Sequence, residues 1–183
     1  MKTIQFVCQN TFNYMKKNIF LLLFFVSTSC CKIDPDALHG YYHFSYHNHA
    51  WLTVHSGWMV DESGSIRGYN NPEKWNYPDS LGYISRYQLE ENVSYCDTVI
   101  GRVSPGKVSY YNLFVYSASK GTYSEPKPHG ADMGARVYYC YWYDRSKDLY
   151  RQVMLNQDGD WICHNTDNSA KKIYKWLRDL VTN

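Results

Sequence analysis

The run Arg136 to Tyr143, RVYYCYWY, constrains the fold more than any other stretch of the chain. Read as a strand, it sends Tyr139, Tyr141 and Tyr143 to one side and Tyr138, Cys140 and Trp142 to the other, because successive side chains alternate. One face of such a strand is either less than fully buried or covered by helices. The bias is general, with 19 Tyr and 6 Trp in 183 residues. Apolar residues at 44% against charged residues at 20% mark a globular chain rather than a disordered one.

Local signals around that strand give an α+β fold. Asp61-Glu62-Ser63-Gly64 separates Trp51 to Val60 from Ser65 to Tyr69, which predicts a hairpin. Asn70 to Asp79, with two Pro, leaves the sheet as a loop. Ser85 with Gln88 forms a capping box that predicts a short helix over 86–93. Thr98 to Val103 follows as a strand, and Ser104-Pro105 opens a second helix with Val108, Tyr111, Val115 and Ala118 at helical spacing and Gly121 at its end. Arg136 to Tyr143, Leu149 to Leu155 and Asp160 to His164 form an antiparallel meander. Ile173, Trp176, Leu177, Leu180 and Val181 make an apolar stripe behind caps at Asp167 to Ser169, so the chain ends in an amphipathic helix. The expectation is a mostly antiparallel sheet with helices packed on one face, formed by residues 39–183 as a single domain.

The N-terminus reads as an address. Met15-Lys16-Lys17-Asn18 is cationic, Ile19 to Val26 is wholly apolar, and Ser27-Thr28-Ser29 precedes Cys30. Eight apolar residues span about 12 Å as a helix against a hydrocarbon core of roughly 30 Å, so residues 1–29 form an export signal rather than a lasting anchor. The clean start of the cationic stretch makes Met15 a candidate initiator. Val26 to Cys30 resembles the lipobox of bacterial lipoproteins of the Bacteroidota type. That resemblance implies that Cys30 is acylated and becomes the new N-terminus, with residues 30–38 as a tether and the product lipid-anchored in the cell envelope, at the outer membrane or the periplasmic face. Ser27 and Ser29 also satisfy the small-x-small rule of an ordinary signal peptidase, which would give a freely secreted product. Farther along, Val60-Asp61, Ile66 to Asn70, Trp75 and Gly159-Asp160-Trp161 are similar to segments of uncharacterised lipoproteins of that type, a resemblance that carries no function.

Charge and motif content narrow the roles open to the domain. Lys2, Lys16 and Lys17 leave with the signal while all 17 acidic residues stay, so the mature chain is close to neutral. Without clustered Lys or Arg there is no electrostatic footprint for nucleic acid. No nucleotide loop, serine elbow, paired carboxylates or zinc signature stands out, so no cofactor is expected and a non-enzymatic binding or interaction module is the favoured class. Its partner is a glycan or a protein, met by exposed aromatics of which Tyr139, Tyr141 and Trp142 are the candidates.

His43, His47 and His49 fall at a spacing that offers a metal site, although HGYYHFSYHNHAW reads equally as a Tyr- and His-rich strand. Cys96, Cys140 and Cys163 read as small buried hydrophobes. In a meander, Cys140 and Cys163 stand two strand spacings apart, about 9.6 Å, beyond the roughly 7 Å reach of a disulfide.

Overall fold

The computed structural model describes residues 40–50 and 53–180. The signal, Cys30 and its tether, and Val181 of the C-terminal stripe lie outside the described residues. The strands are β1 (Tyr42–Asn48), β2 (Val54–Val60), β3 (Ser65–Asn70), β4 (Tyr83–Ile84), β5 (Thr98–Arg102), β6 (Lys127–Pro128), β7 (Ala135–Asp144), β8 (Leu149–Gly159) and β9 (Trp161–His164). The helices are α1 (Arg86–Tyr95), α2 (Pro105–Lys120) and α3 (Asn168–Arg178). Among the described residues the nine strands form one sheet in the order β5-β3-β2-β1-β7-β8-β9-β6, with β4 on β8. Each described strand pairing is antiparallel, so the chain is α+β with an antiparallel sheet.

Turn and cap chemistry sets the local elements. Asp61 Oδ1 accepts the backbone N–H groups of Ser63 and Ser65, and Gly64 takes a φ of 80°, which closes the β2–β3 hairpin. Ser85 and Gln88 form the reciprocal capping box of α1. Ser104 caps α2 with Pro105 in its first turn. Gly121 ends α2 with a φ of −64°, so a left-handed cap is not the reason for glycine there. A Cβ at that position would collide with the Asn165 side chain. Asn165 is fully buried, and its amide donates to the carbonyl of Ala118 at the end of α2. Two residues later, Asp167 accepts from the N–H groups of Ser169 and Ala170 at the start of α3.

Central position in the sheet falls to β1, which lies between β2 and β7. Tyr42 stands opposite Val60 on one side and Cys140 on the other. These residues join Val153, Leu155, Val108, Val115, Ile173, Trp176 and Leu177 in one core cluster, which α2 and α3 help to build. Tyr111 of α2 stacks on Trp176 of α3 at 4.1 Å. A second cluster holds Tyr41, Met59, Tyr69, Tyr141 and Tyr150, with Leu89 and the partly buried Val93 of α1. Met59 and Val60, and likewise Cys140 and Tyr141, are chain neighbours assigned to different clusters, so the two clusters occupy opposite faces. The helices therefore do not share one face: α1 joins the cluster opposite that of α2 and α3. Strands that carry apolar residues on both of their sides give the sheet two apolar faces, and each requires cover.

One further departure from the sequence expectation has a local cause, and the cysteines stand as expected. The strand expected to end at Leu155 continues as β8 through Asn156–Gly159, and the reversal is confined to Gly159 (φ 131°) and Asp160. The three described cysteines are free and buried. Cys140 stands opposite Val153 and Cys163 opposite Gln157, so they are displaced along the strands as well as across them.

Candidate functional site

The face that carries Tyr141 is polar beneath its aromatic surface. Gln152 Nε2 donates to the Tyr141 hydroxyl at 2.9 Å, which leaves the Tyr141 proton for His43 Nδ1 at 3.3 Å. Nδ1 then accepts, and His43 Nε2 donates to the Tyr69 hydroxyl at 2.7 Å. Burial, helped by the nearby imidazoles of His55 and His47, holds His43 down at about 3, so the ring stays neutral. Burial also pushes the Tyr141 phenol above its ordinary range. Trp75 covers the group, 4.5 Å from Tyr69 and 5.5 Å from His43 between ring centroids. Its loop is clamped by the buried Asn92 of α1, which accepts from the N–H of Asn76 and donates to the same residue's carbonyl.

Tyr139, Tyr141 and Trp142 do not form a shared ligand surface. Tyr141 is 2% exposed and Tyr139 lies against His43. Trp142, on the other face, stands 5.7 Å from Tyr116 of α2. Strand alternation alone separates Trp142 from the two tyrosines.

The histidines are divided in a similar way. The structure brings His47 and His49 together, with ring centroids 6.4 Å apart, and adds His55, stacked on His47 at 4.1 Å as its partner across β1 and β2. His43, with both ring nitrogens engaged, belongs to the tyrosine network. Burial followed by the neighbouring imidazoles lowers His55 to about 4 and also lowers His47. Among the described residues no group of three or more His, Cys, Asp or Glu is placed to hold a metal ion. Cys96 and Cys163 donate to the carbonyls of Asn92 and Ser124, and burial pushes the Cys96 thiol up to about 12, away from nucleophilic use.

A groove of about 360 Å³ opens where β1, β7 and β8 end, lined by His47, His49, Asp132, Gln157, Asp160 and Trp161. That size is at the lower end of small-ligand sites. Two glycines let the backbones converge there. Gly134 (φ 70°) and Gly159 (φ 131°) occupy conformations L-residues rarely adopt, and a Cβ on either would strike a carbonyl of the adjoining segment. Asp160 Oδ1 accepts from Met133 N at 2.8 Å, and Asn48 Nδ2 donates to the Asp132 carbonyl at 3.0 Å, so the loop before β7 is tied to the rim. Asp132 itself has a φ of 59°, a strained choice for a non-glycine residue. Trp161, at the start of β9, is 49% exposed. An indole face, two carboxylates, an amide and two imidazoles thus share one opening.

No protein-family model, curated protein or solved structure matches the chain. The reading of the groove rests on its own chemistry. Sequence reasoning missed it because its residues come from three separated segments; the available signal was the lone tryptophan in Gly159-Asp160-Trp161.

Proposed function

We propose that the chain is an exported lipoprotein, anchored in the cell envelope through acylated Cys30, whose domain binds a glycan in the groove at the end of its sheet without turning it over. The observation that carries this reading is Trp161, a half-exposed indole beside Asp132, Asp160 and Gln157. An aromatic face takes the C–H side of a sugar ring, while carboxylate and amide oxygens accept its hydroxyl protons. With two acids in its lining and the His47 imidazole held below its ordinary range by burial, the groove suits neutral or amino sugars over acidic ones. In this reading the amphipathic C-terminal helix is scaffold: it covers the apolar face, and the groove belongs to the ends of the strands. Among the described residues no helix is long and apolar enough to cross a membrane, and the anchor supplies attachment.

The purified protein, screened against neutral, amino and acidic oligosaccharides, is expected to bind a neutral or amino glycan saturably and to leave it intact. Absence of binding across the panel, or hydrolysis of a bound glycan, overturns the reading. Feeding cells a clickable palmitate analogue tests the anchor separately: the label is expected on the parent protein and not on Cys30→Ala.

A further inference from the structure

We infer that the outer surface of α2 and α3 docks flat on an anionic lipid bilayer. The two helices carry six cations, Lys107, Lys120, Lys171, Lys172, Lys175 and Arg178, and neither contains an acidic residue. The carboxylates at their ends are engaged, Asp167 in capping α3 and Asp179 with Arg178. In a chain whose charges nearly balance, this concentrates positive charge on one side of the sheet.

The same surface is apolar between its charges. Tyr110, Leu113 and Tyr116 lie three residues apart on α2 and are 46%, 56% and 59% exposed. Residues at that spacing share one helix face. The cations stand among these rings rather than apart from them. Lys172 Nζ lies 3.9 Å from the Phe114 centroid and 4.8 Å from that of Tyr110, and donates to the Tyr110 hydroxyl. Lys120 Nζ lies 5.3 Å from the Tyr116 ring and 5.1 Å from that of Trp142.

Charge complementarity selects an anionic partner, and the apolar stripe selects a bilayer. A nucleic acid would satisfy the lysines and leave Leu113 wet. A headgroup layer takes both, with phosphates meeting the ammonium groups while tyrosine rings and a leucine settle at the interface. Because α2 and α3 help build one face of the sheet while His47 and Gln157 belong to the other, docking turns the groove away from the lipid. The inference stands independently of glycan binding and of acylation.

The test is lysine footprinting of the full chain with an amine-reactive reagent, on vesicles containing phosphatidylglycerol and on vesicles of phosphatidylcholine alone. Labelling of Lys107, Lys120, Lys171, Lys172 and Lys175 is expected to fall several-fold on the anionic vesicles only and to recover in high salt, while the exposed Lys127 and Lys147 stay unchanged. Leu113→Glu, an exposed substitution that leaves the core intact, is expected to reduce that protection. Equal labelling on both vesicles, or a uniform fall across all lysines, overturns the inference, as does full protection in Leu113→Glu.

Discussion

Cys140 and Tyr141 are neighbours in β7, yet Cys140 meets aliphatic and indole side chains beside α2 and α3, while Tyr141 meets imidazole, phenol and amide groups on the opposite face. The Cys140 face is held chiefly by shape: Tyr42, Val60, Val153, Ile173 and Leu177 interlock there, and the Tyr42 hydroxyl also donates to Asn112 of α2. The Tyr141 face is held by pairing as well, because each polar atom brought into it loses water and needs a partner. One sheet thus carries a side that tolerates apolar exchange of equal volume and a side on which a single missing atom strands another. The groove adjoins the second side, where imidazoles and oxygens are already gathered.

Truncation on the apolar face should cost most. Leu177→Ala, at a fully buried position, is expected to lose about 2–5 kcal/mol of stability by the transfer and cavity costs of such changes, read from urea unfolding at neutral pH. A loss no larger than that of an exposed position, about 0.5 kcal/mol, would mean that α3 is not part of the core.

Acid separates the two faces next. Burial holds His43 at about 3 and His55 at about 4, whereas unfolded histidine titrates near 6.5. Below about pH 6.5 the unfolded chain therefore binds more protons than the folded one, so stability falls as the pH drops from there towards 4. Each imidazole contributes a slope of up to about 1.4 kcal/mol per pH unit. Replacing His43 by Phe should flatten this slope, whereas Leu177→Ala should lower the whole curve and leave the slope alone. A slope unchanged in His43→Phe would break the assignment of the acid sensitivity to this residue.

Tyr141→Phe is a smaller perturbation. It leaves Gln152 Nε2 and His43 Nδ1 without their phenol, and a cost of about 1–3 kcal/mol is expected for the buried group left unpaired. A neutral result by thermal unfolding would show that the network does not contribute to stability. Trp161→Ala should change stability least, within about 0.5 kcal/mol, as usual for surface positions.

These contrasts also explain what the sequence made legible. Ser85 with Gln88, Ser104 with Pro105, and Asp61 with Gly64 act within a few residues of themselves, and each produced the cap or turn expected. The placement of β1 between β2 and β7 depends on pairings across nearly a hundred residues, as with His43 opposite Tyr139, and no local pattern encodes them. The stacking of His47 on His55 is set by the nearer β1–β2 register, over eight residues. The loss of Tyr141 as a contact residue is again non-local, since burial of a strand face depends on what covers it. The clamp of Asn92 on Asn76 and the convergence of Gly134 with Gly159 also join residues that are not neighbours in sequence. The aromatic composition was legible, but its division into scaffold and exposed platform was not.

The most direct test compares glycan affinity by calorimetry in the parent protein, Trp161→Ala and Tyr141→Phe. Trp161→Ala is expected to abolish binding at an unchanged melting temperature, while Tyr141→Phe binds as the parent does despite its lower stability. Parent-like binding by Trp161→Ala, or loss of binding confined to Tyr141→Phe, would contradict this and move the ligand from the groove to the buried network.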